Sequence, residues 1–307
     1  MITDRKIIIV IRKTRLEELK EKYCTLGQAK FYLEHLGESI DTYQDEHNRF
    51  VSVLNSLQSL VNKLARVQVL ERSFLPSYQF SHDDIILVLG QDGLVANTMK
   101  YLNGQPIIAV NPLPDIFDGV LLPFLPSQVH EVVLDILNQA FNTEQISLAE
   151  VSTNLGQTLL AVNDLFIGPK SHTSARYNLA IGSRSEEQSS SGIIVSTGMG
   201  STGWFKSILA GASGIAGNAV QQKLQHGFAW NSSFLYYSVR EPFPSAVTSC
   251  DNVFGKVSKN KRLRLTSRMA ENGVIFSDGI ESDCIEFNAG TVAEIQLSSL
   301  KGCLVVS

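Results

Sequence analysis

DIILVLGQDGLVANTMKYL, residues 84–102, decides the fold. Its first half is a largely apolar run that stops at Gly90, as a parallel strand buried on both faces should. Its second half reads as a helix beginning near Gly93. A buried strand that ends in a glycine-bracketed turn and passes into a helix places that turn at the carboxyl edge of an α/β sheet, where ligands of such sheets bind. Gly90 and Gly93 allow the backbone to lie close to phosphate oxygens, and the helix start offers unpaired N–H donors. Asp92 sits between them. A carboxylate beside phosphates makes chemical sense with Mg²⁺ present, or as a base that takes a proton from an attacking hydroxyl. It makes equal sense as a helix cap.

On either side of this segment the same alternation continues. Ile7–Val10, Val67–Leu70 and Ile107–Val110 read as strands, and Leu26–Leu36, Glu46–Val61 and Val129–Ala140 carry helical apolar spacing. Strands alternating with helices predict a parallel sheet with crossover helices over residues 1–145. After residue 145 the pattern changes to short strands separated by Gly, Ser and Asn clusters: Thr158–Ile167, Arg176–Ile181, Gly192–Ser196, Phe234–Val239, Arg262–Ser267, Val274–Phe276, Cys284–Phe287 and Ala293–Leu297. Residues 146–307 are therefore expected to form an all-β domain, with one helix after Ser201 and an exposed polar hairpin loop at Ser183–Ser191. The C-terminal tail is expected to return to the first domain.

Composition narrows the functional classes. The chain has 307 residues, 44% hydrophobic and 18% charged, with a formal charge of −4. That balance predicts an ordinary globular protein with no general attraction for nucleic acid or anionic membrane. The N-terminal MITDRKIIIVIRKTR has too short an apolar run for a signal peptide or a membrane span. Cys24, Cys250, Cys284 and Cys303 form no C-x-x-C pair and are expected to be reduced, mostly buried thiols in a cytoplasmic protein. The six histidines are scattered, so no protein-held metal is expected.

Three further segments bear chemistry. AVNDLFIG (161–168) places Asn163 and Asp164 inside an apolar run. Buried polar groups need partners, and this pair suits ribose hydroxyls or adenine; it also suits a turn. SGIIVSTGMGSTGWFKS (191–207) runs from a strand through a Gly/Ser/Thr loop into a helix. Gly198, Gly200 and Gly203 match G-x-G-x-x-G formally, but no acidic residue on a following strand completes the dinucleotide fingerprint. FSDGIESDCIEF (276–287) contains Asp278-Gly279 between apolar runs, a hairpin signal.

In this order, the segments resemble the NAD kinase-like family. LGQDGLVANTMKYL resembles the G-G-D-G motif, AVNPLPDIFDGVLLPF (109–124) the segment after it, AVNDLFIG the N-[DE] motif, SGIIVSTGMGSTGW the T-P-T-G-S-T loop, and FSDG a late Asp-Gly hairpin. SSSGIIVSTGMGSTGW and YYSVREPF bring the chain nearest the divergent branch that includes mitochondrial-type NAD kinases. The resemblance implies a two-domain kinase that phosphorylates the adenosine 2′-hydroxyl of NAD with ATP and Mg²⁺, and a homodimer or tetramer. It implies Asp92 as base, Gly90 and Gly93 against the phosphates, and Asn163 and Asp164 on the dinucleotide. Thr197 and Ser201 would line an adenine or ribose pocket, with Tyr177 and Asp278 as further binding candidates. The chain departs from the family at Gln91, which replaces the second glycine, at Leu94, which replaces a hydroxyl residue, and in the altered 197–203 loop. These departures motivate the alternatives of a non-catalytic nucleotide-binding protein and of a kinase for another hydroxylated or lipid acceptor.

Overall fold

A computed structural model describes residues 3–216 and 224–307. The chain divides into two compact units, one running to Glu144 and including Cys303–Ser307, the other Gln145–Gly302.

In the first unit, β1 (Lys6–Ile11), β2 (Arg66–Glu71), β3 (Ile85–Leu89) and β4 (Pro106–Val110) pair in the order β2-β1-β3-β4, all parallel. Cys303 and Leu304, at the end of β16 (Val292–Val306), add a further parallel pairing beside β4. Ile7–Val10 and all of β3 are 0% exposed, which is why both read as unbroken apolar runs. Helices α1 (Arg15–Tyr23) and α2 (Leu26–His35) pack on one another and on the start of α3 (Ile40–Val61), while α3, α4 (Asp92–Met99) and α5 (Val129–Leu137) pack on the sheet. Leu57 and Val61 of α3 and Val129, Val133 and Ile136 of α5 join Ile9, Leu87 and Ile108 in one core. Each such side chain contributes roughly 1.5–3 kcal/mol on burial.

Helix α1 was not expected. It buries only Leu16 and carries charge on most of its surface, so no apolar period betrays it. Its start is nevertheless written in the sequence as Thr14-x-x-Glu17, a capping box in which each side chain meets the other's backbone N–H.

The second unit is a sandwich of antiparallel strands. One sheet has the order β12-β11-β10-β7-β14-β15, built from β7 (Asp164–Pro169), β10 (Ile193–Ser196), β11 (Phe234–Val239), β12 (Phe254–Ser258), β14 (Gly273–Ser277) and β15 (Ile280–Glu286). The facing layer runs β16-β13-β8-β9, from β8 (Ala175–Ile181), β9 (Arg184–Ser190) and β13 (Leu263–Ser267). β5 (Asn142–Thr153) pairs with β16 and with β6 (Thr158–Ala161). Inward residues of both layers, among them Tyr177, Leu179, Leu263, Ile193, Val195 and Leu235, share one core. Helix α6 (Trp204–Ala216) places Phe205 in a group of rings with Phe228, Tyr236 and Phe254. No helix of the described residues is long and apolar enough to cross a membrane.

Several sequence expectations change. The polar stretch Ser183–Ser191 is not a loop: Arg184–Ser190 is β9, registered residue by residue on β8. It ends its ladder of strands, but the segment after β11 covers its outer side: the Phe243 N–H donates to the Ser189 carbonyl at 2.8 Å and the Ser249 N–H to the Glu187 carbonyl at 3.0 Å, which occupies backbone groups that another strand would pair with. The strand expected over Thr158–Ile167 is two strands, broken at Val162-Asn163. None of the four free cysteines is fully buried; Cys24 is exposed and the others are half-buried.

Candidate active site

In the first unit, β3 ends at Leu89, and the Gly90 N–H donates to the Val110 carbonyl of neighbouring β4 at 3.3 Å. Gln91 follows in extended conformation, φ −103° and ψ 164°, and α4 starts on Asp92. With φ negative, the side chain of Gln91 is accommodated without strain where the family pattern has glycine. Asp92 does not cap its own helix. Its Oδ1 accepts the Leu121 N–H at 2.9 Å and its Oδ2 the Val120 N–H at 3.1 Å, so it ties the strand–helix turn to the segment after β4.

That segment is itself shaped by Asn111. The Asn111 amide donates to the Phe117 carbonyl at 2.9 Å, and its carbonyl accepts the Leu113 N–H at 3.1 Å. Gly119 has φ +65°, and a Cβ there would lie 2.7 Å from Asn111 Nδ2. The sequence reading passed over Asn111 and Gly119 as supports, although Asp118-Gly119 is a turn signal. Each Asp92 oxygen keeps lone-pair capacity after these two bonds. Leu94, in place of a hydroxyl residue, is 3% exposed and packs over Gly90. Gly93 is exposed, and a Cβ there would touch nothing within 4 Å.

In the second unit, Asn163 and Asp164 sit where β6 gives way to β7. The carboxylate of Asp278 accepts the N–H groups of Val162 (3.1 Å to both oxygens), Asn163 (2.6 Å) and Asp164 (3.3 Å). Asp278 and Gly279 have φ of 54° and 73°, the left-handed pair of a tight hairpin turn. The Asp278 N–H returns to the Asp164 carbonyl at 2.9 Å. Asp164 is 9% exposed, and its Oδ1 is buried with no hydrogen-bond partner. Burial first, with the nearby Asp278 charge adding, raises the Asp164 carboxyl to about 7, and the Ser196 hydroxyl works against the rise.

The 197–203 loop docks on this segment. Thr197 donates its N–H to the Asn163 carbonyl at 2.9 Å and its hydroxyl to the Val162 carbonyl. The Ser201 hydroxyl donates to the Gly198 carbonyl at 2.6 Å and accepts the Phe228 N–H at 3.1 Å. Both residues are 0% exposed, so their hydroxyls hold backbone to backbone. The dense glycines serve the same end. A Cβ on Gly198 would lie 2.0 Å from the Ala229 carbonyl oxygen, and one on Gly200 2.2 Å from that of Asn163.

The candidates thus fall into three places. Gly90, Asp92 and Gly93 share the first unit's turn. Asn163, Asp164, Thr197, Ser201 and Asp278 form one knot in the second unit. Tyr177 belongs with neither: it is 0% exposed in the sandwich core, and its hydroxyl meets Ser190 Oγ at 2.7 Å. An aromatic residue inside a strand gives no sign in sequence of which face it takes. A separate cavity of about 690 Å³ between α6 and β11–β12, walled by Trp204, Ile208, Leu224, Val239 and Phe254, contains none of the candidates.

A parallel α/β unit with an acid at the strand–helix turn, followed by an antiparallel sandwich with a glycine loop, defines a two-domain NAD kinase-like fold. Solved structures bear this out. The NAD kinase of Archaeoglobus fulgidus, determined in complex with ATP, superposes with a TM-score of 0.58 at 14% identity, over 97% of this chain and 92% of that one. Yeast NADH kinase, complexed with NADH, superposes with a TM-score of 0.55 at 13% identity, over 99% of this chain and 84% of that one. At such identities the likeness is one of fold. No family model and no curated protein sequence matches the chain.

Proposed function

We propose that this chain is a kinase that transfers a phosphoryl group from a nucleoside triphosphate to the adenosine 2′-hydroxyl of NAD, giving NADP. The observation that carries the reading is Asp92. It is a half-exposed carboxylate at the carboxyl edge of a buried parallel strand, oriented by two backbone N–H groups rather than neutralised by a cation. In the reaction Asp92 accepts the hydroxyl proton while the oxygen attacks the γ-phosphorus. The bond to the bridging oxygen breaks, and the nucleoside diphosphate leaves. Such transfer needs chiefly positioning and charge compensation.

The second unit supplies the groups that hold the dinucleotide. Asp164 carries this part, because its Oδ1 lacks a donor within the protein and a ribose hydroxyl would supply one. Asn163 is the adjacent amide. Thr197, Ser201 and Asp278 act behind these groups by fixing their backbone. Among the described residues, no group of three or more His, Cys, Asp or Glu side chains is placed to hold a metal ion. Mg²⁺ is commonly held by one or two carboxylates together with substrate phosphates, so in this reading the ion enters with the donor nucleotide. As its chelate, the ion offsets the triphosphate charge.

The test is phosphate incorporation into NAD with MgATP, comparing the wild type with Asp92→Asn. Loss of a general base predicts a fall of roughly 10²–10⁴-fold in turnover with NAD affinity kept. The competing reading, a nucleotide-binding protein without turnover, is favoured by Leu94, whose buried side chain leaves no hydroxyl beside the turn. A wild-type chain that binds NAD as well as Asp92→Asn does, and incorporates no phosphate, establishes that second reading. Incorporation into another acceptor in place of NAD moves the assignment to a different kinase.

A further inference from the structure

The knot in the second unit contains two carboxylates treated in opposite ways. Asp278 receives the N–H groups of three consecutive residues, the concave backbone arrangement that stabilises an anion. Asp164 receives none at Oδ1 and is buried beside it. The N–H donors around Asp278 favour a carboxylate there, whereas the buried Asp164 has no donor at Oδ1 to favour one. β14 runs beside β7 with Ser277 opposite Leu165, and the loop that starts at Thr197 docks on the Asn163 carbonyl; neither carries a charged side chain. β10 opposes Asp164 with Ser196, which is uncharged, and the β14–β15 turn brings Asp278. Among the described residues, the charge that acts on Asp164 is that of Asp278.

We propose that Asp278 is a positioning residue: its carboxylate holds the Val162–Asp164 backbone and, through its charge, biases the buried Asp164 toward meeting a ligand as a hydrogen-bond donor. The inference deepens the reading of Asp164 as a dinucleotide-binding group and rests on it. It goes further by giving the late Asp-Gly hairpin a defined task without any contact to ligand. Below neutrality the Asp164 carboxyl carries its proton and donates; above it, the ionised oxygen accepts. A neutral residue at 278 removes the repulsion, so Asp164 ionises at lower pH. Removing the Ser196 hydroxyl has the opposite sign, since that hydroxyl favours the ionised form.

The experiment is a ¹³C-carboxyl titration of the full chain from pH 4 to 9, with the Asp164 signal assigned by its disappearance in Asp164→Asn. Asp278→Asn suits the position, because asparagine tolerates the left-handed backbone at 278. The expected result is an Asp164 midpoint near 7 in the wild type, moved down by about half a unit or more in Asp278→Asn and up in Ser196→Ala. An unchanged midpoint in both variants overturns the proposal. Should Asp278→Asn fail to fold, the direction of the Ser196→Ala shift together with a wild-type midpoint near 4 or near 7 still decides it: a midpoint near 4 refutes it. NAD calorimetry run in parallel tests the underlying reading separately. If the wild type binds NAD, the affinity in Asp278→Asn should change with pH over a range displaced downward, where a purely structural defect lowers it by one factor at every pH. If the wild type binds no NAD, the dinucleotide reading fails, and the coupling of the two carboxyls is decided by the titration alone.

Discussion

Gly200→Ala offers a strict test of the knot. A Cβ at Gly200 would lie 2.2 Å from the Asn163 carbonyl oxygen, 2.5 Å from its carbon and 2.8 Å from the Asn163 Cα. All three are backbone atoms, so no side chain can rotate away. Reaching even a 3.0 Å contact requires the two loops to part by at least 0.8 Å (3.0 − 2.2). That movement stretches the Thr197 N–H bond to Asn163, now 2.9 Å, and the neighbouring hydroxyl bond to Val162. Overpacking of this kind costs about 1–3 kcal/mol, and one weakened buried hydrogen bond about 1 kcal/mol more. The sum, roughly 2–4 kcal/mol, corresponds to a fall in melting temperature on the order of 5–10 °C. Both tryptophans, Trp204 and Trp230, lie in the second unit, so intrinsic fluorescence follows that unit's unfolding. Gly200→Ala melting within 1–2 °C of the wild type (roughly the shift of 0.5 kcal/mol) would refute the assignment of this glycine to backbone close approach.

The other predictions concern the same residues. Gly93→Ala fills open space in the first turn of α4, so it should leave stability unchanged or raise it by up to ~1 kcal/mol; it should also cut phosphate transfer at least about tenfold, and full activity in a steady-state assay would remove the phosphates from beside Gly93. Asp164→Asn should alter the pH dependence of stability. The folded carboxyl is raised to about 7 and the unfolded one titrates near 3.9, so the folded state holds the proton more tightly. Its contribution is complete below about pH 4, declines as pH rises to about 7, and is level above that. Urea unfolding should find Asp164→Asn more stable than the wild type at pH 8, by at most ~4 kcal/mol, with the difference shrinking at pH 5. No trend with pH would contradict the burial argument. Tyr177→Phe removes a buried hydroxyl from Ser190 and should cost about 1 kcal/mol; calorimetry should find NAD affinity untouched, and a weakened affinity would return Tyr177 to the site.

Where the apolar pattern and the burial coincide, the fold is readable from residues alone. Ile7–Val10 and Ile85–Leu89 are unbroken apolar runs because both faces of those strands are covered. Strands that are half wet or at an edge give a weaker signal. β9 reads as a serine-rich loop because its pairing with β8 is made by backbone groups, and backbone hydrogen bonding leaves no trace in side-chain composition. α1 escapes for a related reason: one buried leucine sets no period. Of the site, the residue types were legible and their directions were not. Tyr177 and Thr197 look like binding groups in sequence, yet both face inward and their hydroxyls are spent within the protein. A glycine needed for approach by a phosphate and one needed for approach by another loop are spelled the same way. Only the distances from Gly198 and Gly200 to neighbouring carbonyls tell them apart.

The three aspartates that the sequence singles out end with different hydrogen-bonding balances, and those balances assign their tasks. Asp278 accepts from three backbone N–H groups and also sits in a left-handed turn. Its acceptor capacity goes into holding the loop together. Asp92 accepts two N–H groups from a single neighbouring segment and stays half-exposed. It is oriented, and still able to receive a proton. Asp164 alone retains a buried oxygen with no donor. Leaving such an atom unsatisfied costs about 1–3 kcal/mol, a burden that a purely structural residue at this place would avoid by being alanine. A ligand that brings a hydroxyl or amide donor to Asp164 removes that cost on binding. On the proposed reading, the unpartnered Asp164 oxygen thus holds part of the free energy that a bound dinucleotide recovers as affinity.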